Sequence, residues 1–195
     1  MKLPIYEELK KEMLSCDKCG LGGSLLDGYD PHVIGQGNLD ANIMFVAEAP
    51  GFNETVNRQP LTTTGVSGKV YESLLAKLNL TRNDVFTSNV LVCRPPENRD
   101  PEVFEIEICS SFLRRQIELV NPKLIVSFGR FSSQYLLGKI KITQDHGKIH
   151  HSKKFNVDVF PLYHPAYISA YATQERRDEF KEDVKVLKNI IDNIM

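Results

Sequence analysis

The chain has 195 residues, a length that suits one compact domain spanning 1–195. Hydrophobic residues make up 42% and charged residues 25%, which excludes a disordered, collagen-like or membrane-embedded chain. The formal net charge of −1 excludes a global pull on polyanions, so any nucleic-acid contact has to concentrate basic residues on one face.

Met1 to Leu14 predicts an amphipathic helix with Ile5, Leu9 and Met13 on one face. Glu7, Glu8, Lys10, Lys11 and Glu12 interrupt any signal-peptide core. No stretch approaches the roughly 20 apolar residues of a membrane span. A cytoplasmic location is therefore expected. Ile43 to Ala47 is a continuous apolar run and predicts a buried central strand. A loop from Glu48 to Gly65 follows, then a helix with Val70, Leu74, Leu75 and Leu78 at helical spacing.

Val85 to Val92 is the second predicted strand. Pro95, Pro96 and Pro101 bracket a loop, and Pro101 is suited to open a helix running to about Val120 with Ile106, Leu113 and Ile117 inward. Leu124 to Phe128 is the third strand, followed by a helix over Phe131 to Leu137. Val157 to Leu162 is the fourth strand. A last helix carries Phe180, Val184, Leu187 and Ile191 on one face. Strands alternating with helices define the α/β class: a three-layer αβα sandwich with a central, mostly parallel four-stranded sheet. Ligands of such folds sit beyond the carboxyl ends of the strands. Glu48 to Gly51, Asn89 to Arg99, and His164-Pro165 occupy those ends.

The four cysteines combine a C-x-x-C pair, Cys16 and Cys19, with two distant singletons, Cys93 and Cys109. In a reducing compartment such thiols are more often metal-binding than disulfide-bonded. Spacing alone leaves three options open: a knuckle plus two unrelated buried cysteines, a zinc site, or an iron–sulfur site. Zinc in two knuckles would need a second close pair, which is absent.

Five segments, in order and covering nearly the whole chain, carry a resemblance. They are Cys16-Asp17-Lys18-Cys19; Val33 to Asn38 running into Ile43 to Gly51; Thr87 to Pro101; Pro122 to Val126 with Phe128-Gly129-Arg130; and Tyr163 to Tyr167. Together they resemble the family 4, thermostable-type uracil-DNA glycosylases. The resemblance implies a monofunctional DNA-repair enzyme that flips uracil out of DNA and hydrolyses its N-glycosidic bond, leaving an abasic site. It implies that Cys16, Cys19, Cys93 and Cys109 ligate a structural [4Fe-4S] cluster. It also implies site roles. Asn89 reads the O4 and N3–H edge of uracil. His164 donates to uracil O2 as charge grows on the departing base. Glu48, with Glu54 as the second choice, orients water or stabilises the cationic sugar. The backbone of Ala49, Pro50 and Gly51 faces the leaving group.

DNA is the expected partner, held by Arg58, Arg94, Arg99 and Arg130, with Tyr167 and Ile168 available as a wedge. A monomer is expected. His146, His150 and His151 lack such support and read as surface residues. The chain departs from the family where Leu61 stands in place of a stacking phenylalanine; Phe52 is a candidate substitute. That departure keeps two further readings in view: a non-catalytic iron–sulfur DNA-binding relative, or a glycosylase for another deaminated base such as hypoxanthine.

Overall fold

The computed structural model describes residues 1–195. In chain order its elements are α1 (Lys2–Leu14), β1 (Gln36–Gly37), β2 (Ile43–Ala47), α2 (Phe52–Asn57), α3 (Val66–Lys77), β3 (Val85–Asn89) and α4 (Val103–Val120). There follow β4 (Leu124–Phe128), α5 (Gly129–Leu137), α6 (Ile142–Asp145), β5 (His150–Ser152), β6 (Val157–Leu162), α7 (Pro165–Ala170) and α8 (Gln174–Asp192).

The expected sheet is present but larger than four strands. Its order is β1-β3-β2-β4-β6-β5. The four inner strands are parallel and match the four predicted strands, with β3 ending at Asn89 instead of Val92. β1 and β5 add antiparallel edges. Their sequences, Gln-Gly and His-His-Ser, carry no apolar alternation and gave no strand signal. No helix is long and apolar enough to cross a membrane.

Side chains of the inner strands alternate between two cores, as the pleat requires. Ile43, Phe45, Val126, Phe128 and Phe160 join Tyr71, Leu74 and Leu75 of α3 and Val184 and Leu187 of α8. Met44, Val46, Ile125 and Val159 join Leu9 and Met13 of α1 and Phe112, Leu113 and Ile117 of α4. This is the three-layer arrangement. Two helical details differ from expectation. On α1 the inward position is Tyr6, not Ile5, which is exposed; the Tyr6 hydroxyl donates to the Gly35 carbonyl inside the core. Pro101 lies outside α4, whose N-cap is Glu102 and whose first turn carries Glu105 in a capping box.

The parallel register brings one set of strand ends together. Ala47 pairs with Asn89, and Phe128 with Leu162. Four chain segments therefore emerge side by side at one sheet edge, in the order Asn89, Glu48, Gly129, His164. With strands about 4.8 Å apart, Asn89 and His164 flank a gap of roughly 14 Å between their backbones, with Glu48 and Gly129 in the gap.

Candidate active site

Asn89 ends β3 and is buried, 3% exposed. Neither its amide oxygen nor its amide nitrogen has a hydrogen-bond partner, and these are the only two buried side-chain polar atoms of the protein left so. Such a group costs about 1–3 kcal/mol unless a ligand completes it. An amide in this state is a donor and an acceptor held ready for a matching edge.

His164 lies just past β6 and caps α7. Its Nδ1 accepts the Ala166 N–H at 3.2 Å. The residue is half-buried, and desolvation of the ring pulls its pKa down to about 4. It is therefore a neutral imidazole with its proton on Nε2. Gly129, at φ 81°, makes room for it: a Cβ there would stand 3.1 Å from the His164 Cβ. Sequence inspection placed Gly129 in a motif without a role; its position directly after a strand was the available signal.

Glu48 follows β2, and its carbonyl accepts from Leu91 N at 3.0 Å. Its carboxyl is pushed up to about 7, chiefly by burial and then by Asp100, with Arg130 opposing. Arg130 in turn pairs with Asp100 at 3.0 Å. A carboxylate of this kind changes protonation in the range where a general base is useful.

Glu54 has a different position from the one expected. One oxygen accepts Gly51 N at 2.6 Å and the other accepts Leu61 N at 2.6 Å. It closes the N-terminus of α2 and ties the loop back on itself. Each oxygen accepts one backbone donor, so Glu54 caps the turn. Its carboxyl is raised to about 6, chiefly by burial, with those two N–H bonds pulling the other way.

Ala49, Pro50 and Gly51 run from Glu48 to this cap, and Gly51 is the N-cap of α2. Leu61 is 2% exposed and packs in the α3-side core at φ 49°. Its carbonyl accepts from Arg82, which also binds Glu72. Phe52 is half-exposed, edge-on to Tyr29 and under the Arg94 guanidinium.

The expected DNA contacts divide. Arg94 is buried, with Asp27 at 2.6 Å and Asn98 at 2.7 Å on its guanidinium. Its charge is paired inside the protein, where it braces the loop. Arg99 forks onto Glu105 at 2.6 and 3.0 Å. Arg58 is exposed and loosely paired with Asp30 at 3.3 Å. Tyr167 is exposed on α7, whereas Ile168 is buried and cannot serve as a wedge. Of the remaining histidines, His151 is exposed, His150 is half-buried, and His146 is held by Asp183 at 2.6 Å, against expectation. Two surface clefts, of about 530 and 540 Å³, are lined by none of Asn89, Glu48 and His164.

The four cysteines lie together between α1, the loop before β1, the segment after β3, and α4. Cys93 and Cys109 are buried; Cys16 and Cys19 are half-buried. Burial, then the neighbouring thiols, pushes Cys93 far up, and burial raises Cys109 to about 12. Val92 N donates to the Cys109 sulfur at 3.1 Å, and His32 bridges Asp30 and the Cys16 carbonyl. Four thiols packed this closely cannot all ionise without a cation among them, so the donor set fits a cationic thiolate-bound centre. No three His, Cys, Asp or Glu side chains form a site for a single metal ion.

The α/β sandwich gathers an unpartnered amide, a neutral imidazole and a raised carboxyl at the carboxyl ends of its inner strands. The chain belongs to the Uracil DNA glycosylase superfamily, whose sequence model matches residues 34–188. It is 40% identical to a type-4 uracil-DNA glycosylase of Sulfurisphaera tokodaii, over 94% of this chain and 84% of that protein. It is 37% identical to one from Archaeoglobus fulgidus, covering 92% and 89%, and 36% identical to one from Thermotoga maritima, covering 82% of each.

Proposed function

We propose that the chain is a type-4, monofunctional uracil-DNA glycosylase, hydrolysing the N-glycosidic bond of uracil in DNA for base excision repair, with Asn89, His164 and Glu48 as its working residues. Membership of the superfamily and the type-4 relatives support the activity. The orphaned Asn89 amide, on the same sheet edge as a neutral histidine, carries the assignment of roles.

The target nucleotide flips into the gap between Asn89 and His164. The Asn89 N–H₂ donates to uracil O4 and its carbonyl accepts N3–H. Cytosine presents the reverse pattern and would leave both groups unpaired, which is how a buried polar site rejects a near-isostere. As the C1′–N1 bond breaks, its electron pair goes to uracil, and His164 Nε2–H donates to O2. A neutral donor suits this task because it needs no buried cation. Ionised Glu48 orients water toward C1′ and takes up its proton. The oxygen stays on C1′, leaving an abasic site. Arg58, Arg130 and Tyr167 are the exposed residues of the expected set, and the surface ion pairs of the two arginines can exchange for DNA phosphates.

Cys16, Cys19, Cys93 and Cys109 would hold a [4Fe-4S] cluster, which ties the N-terminal segment to the segment after β3 and to α4 and so adds to folding free energy. The whole chain acts as one domain, as a monomer, in the cytoplasm. The test is release of uracil from a uracil-containing oligonucleotide, followed by alkali. Strand cleavage at the uracil position supports the reading; an intact strand with folded, cluster-loaded protein rejects it.

A further inference from the structure

Behind the His164 loop lies a second group of polar side chains that the mechanism above does not use. Tyr163, buried, directly precedes His164. Its hydroxyl donates to Glu179 Oε2 at 3.1 Å and accepts from Arg176 Nη1 at 2.9 Å. The His146 ring lies against the Tyr163 ring, with centroids 4.3 Å apart and planes 35° apart. His146 Nδ1 meets Asp183 Oδ2 at 2.6 Å, and its Nε2 lies 3.6 Å from Glu179. Asp183 is 8% exposed, an unusual place for a carboxylate on a helix that otherwise presents its apolar face inward.

The surrounding backbone is shaped to keep this carboxylate where it is. Gly147, next to His146, has φ 71°, and a Cβ there would come within 2.0 Å of Asp183 Oδ1. Gly147 N donates to Pro161 O on β6 at 3.0 Å. On its other side Tyr163 meets the Tyr167 ring at 5.6 Å. One aromatic side chain is thus held by α8, by the segment after α6 and by α7 together. It sits at the last position before the imidazole.

We propose that Asp183 and His146 are positioning residues: acting through the Tyr163 ring, they fix the backbone from which His164 aims its Nε2–H at the departing base. This rests on the reading of His164 given above. A buried, paired carboxylate is a costly way to stabilise a fold, since an apolar replacement often serves as well. It is a good way to hold one geometry, and small misplacements of a catalytic group reduce rate sharply. Loss of the clamp should therefore slow the chemical step and leave DNA binding alone.

The experiment uses the full-length protein and the variants Asp183→Asn, His146→Gln and Tyr163→Phe, with Lys185→Ala on the outer face of α8 as a control. Three quantities are read: the single-turnover excision rate at saturating enzyme, the Kd for uracil-containing DNA, and the His164 Nε2–H resonance by nitrogen-15 NMR. The expected result is a fall in rate of roughly tenfold or more in Asp183→Asn and His146→Gln, with Kd within about twofold of the parent. A shifted or broadened His164 signal should accompany it, with Lys185→Ala unchanged. An unchanged rate and an unmoved His164 signal in folded Asp183→Asn and His146→Gln would overturn the inference, and so would equal losses in rate and binding. If Asp183→Asn does not fold, His146→Gln decides in the same way, because it removes the ring that lies against Tyr163, whereas Tyr163→Phe keeps that contact and should stay near the parental rate. Failure of the underlying reading looks different: His164→Ala would then excise uracil at the parental rate, whatever the NMR signal does.

Discussion

The Nδ1 of His164 accepts the backbone N–H of Ala166 at 3.2 Å, so the one proton of the neutral ring is held on Nε2. Two residues apart in sequence, the acceptor and its backbone donor fix both the tautomer and the direction of the ring. Because burial keeps the pKa near 4, this donor persists unchanged across the working pH range.

In the role proposed for Glu48, the pH dependence of excision should follow its carboxyl. Burial, reinforced by Asp100 and opposed by Arg130, raises its carboxyl to about 7. The single-turnover rate should climb as pH rises through about 7 and then level off. Glu48→Gln should flatten that profile and lower the plateau by about 10²-fold or more. The sign for stability is opposite. Between the ordinary value of 4.5 and about 7, the folded chain holds a proton that the unfolded chain has released. Stability contributed by this group therefore falls as pH rises through that window. Glu48→Gln should melt higher than the parent at pH 8, while showing little difference at pH 4.

Asn89→Leu should separate stability from activity. The substitution removes two buried, unpartnered polar atoms and keeps most of the volume. Thermal unfolding should occur at or above the parental temperature, since about 1–3 kcal/mol of desolvation cost disappears. Uracil excision should drop below detection. A lowered melting temperature would mean that the amide has a structural partner in solution.

Glu54 should behave as a stability residue. Glu54→Gln keeps one acceptor for the two backbone donors, Gly51 N and Leu61 N. A loss of about 1–3 kcal/mol in denaturant unfolding is expected. The dependence of rate on pH near 7 should survive in this variant, because Glu48 is untouched. Disappearance of that limb would show instead that Glu54 carries the titration.

The thiols make a separate prediction. Purified without oxygen, the protein should contain iron and acid-labile sulfide in equal amounts and absorb broadly in the visible. Cys109→Ser should lose both metal and colour and unfold at a lower temperature, because ligation contributes directly to folding. Zinc in colourless protein would replace the cluster with a different centre on the same four residues.

The inner sheet was legible because each parallel strand is short and mostly apolar, β2 without a break, as a strand covered on both faces needs. The edge strands were not, being two and three residues long with no alternation. Asn89, Glu48 and His164 could be picked out because each stands in a motif of the resembled family near a predicted strand end. What could not be read was which neighbour uses up a side chain. Glu48 and Glu54 look alike in a loop; only the folded turn shows two backbone donors converging on Glu54. Arg94 looks like a phosphate ligand until Asp27, 67 residues earlier, meets it in a buried pair. His146 had no sequence signal at all, since its partner Asp183 lies 37 residues away on another element.

The most direct measurement is excision from paired oligonucleotides that differ only in uracil or cytosine at one position, using the parent, Asn89→Ala and His164→Ala. The account expects the parent to release uracil and to leave cytosine untouched. Each variant should lose about 10²-fold or more in single-turnover rate on uracil. Parental rates in the folded Asn89→Ala protein, or release of both bases alike by the parent, would contradict it.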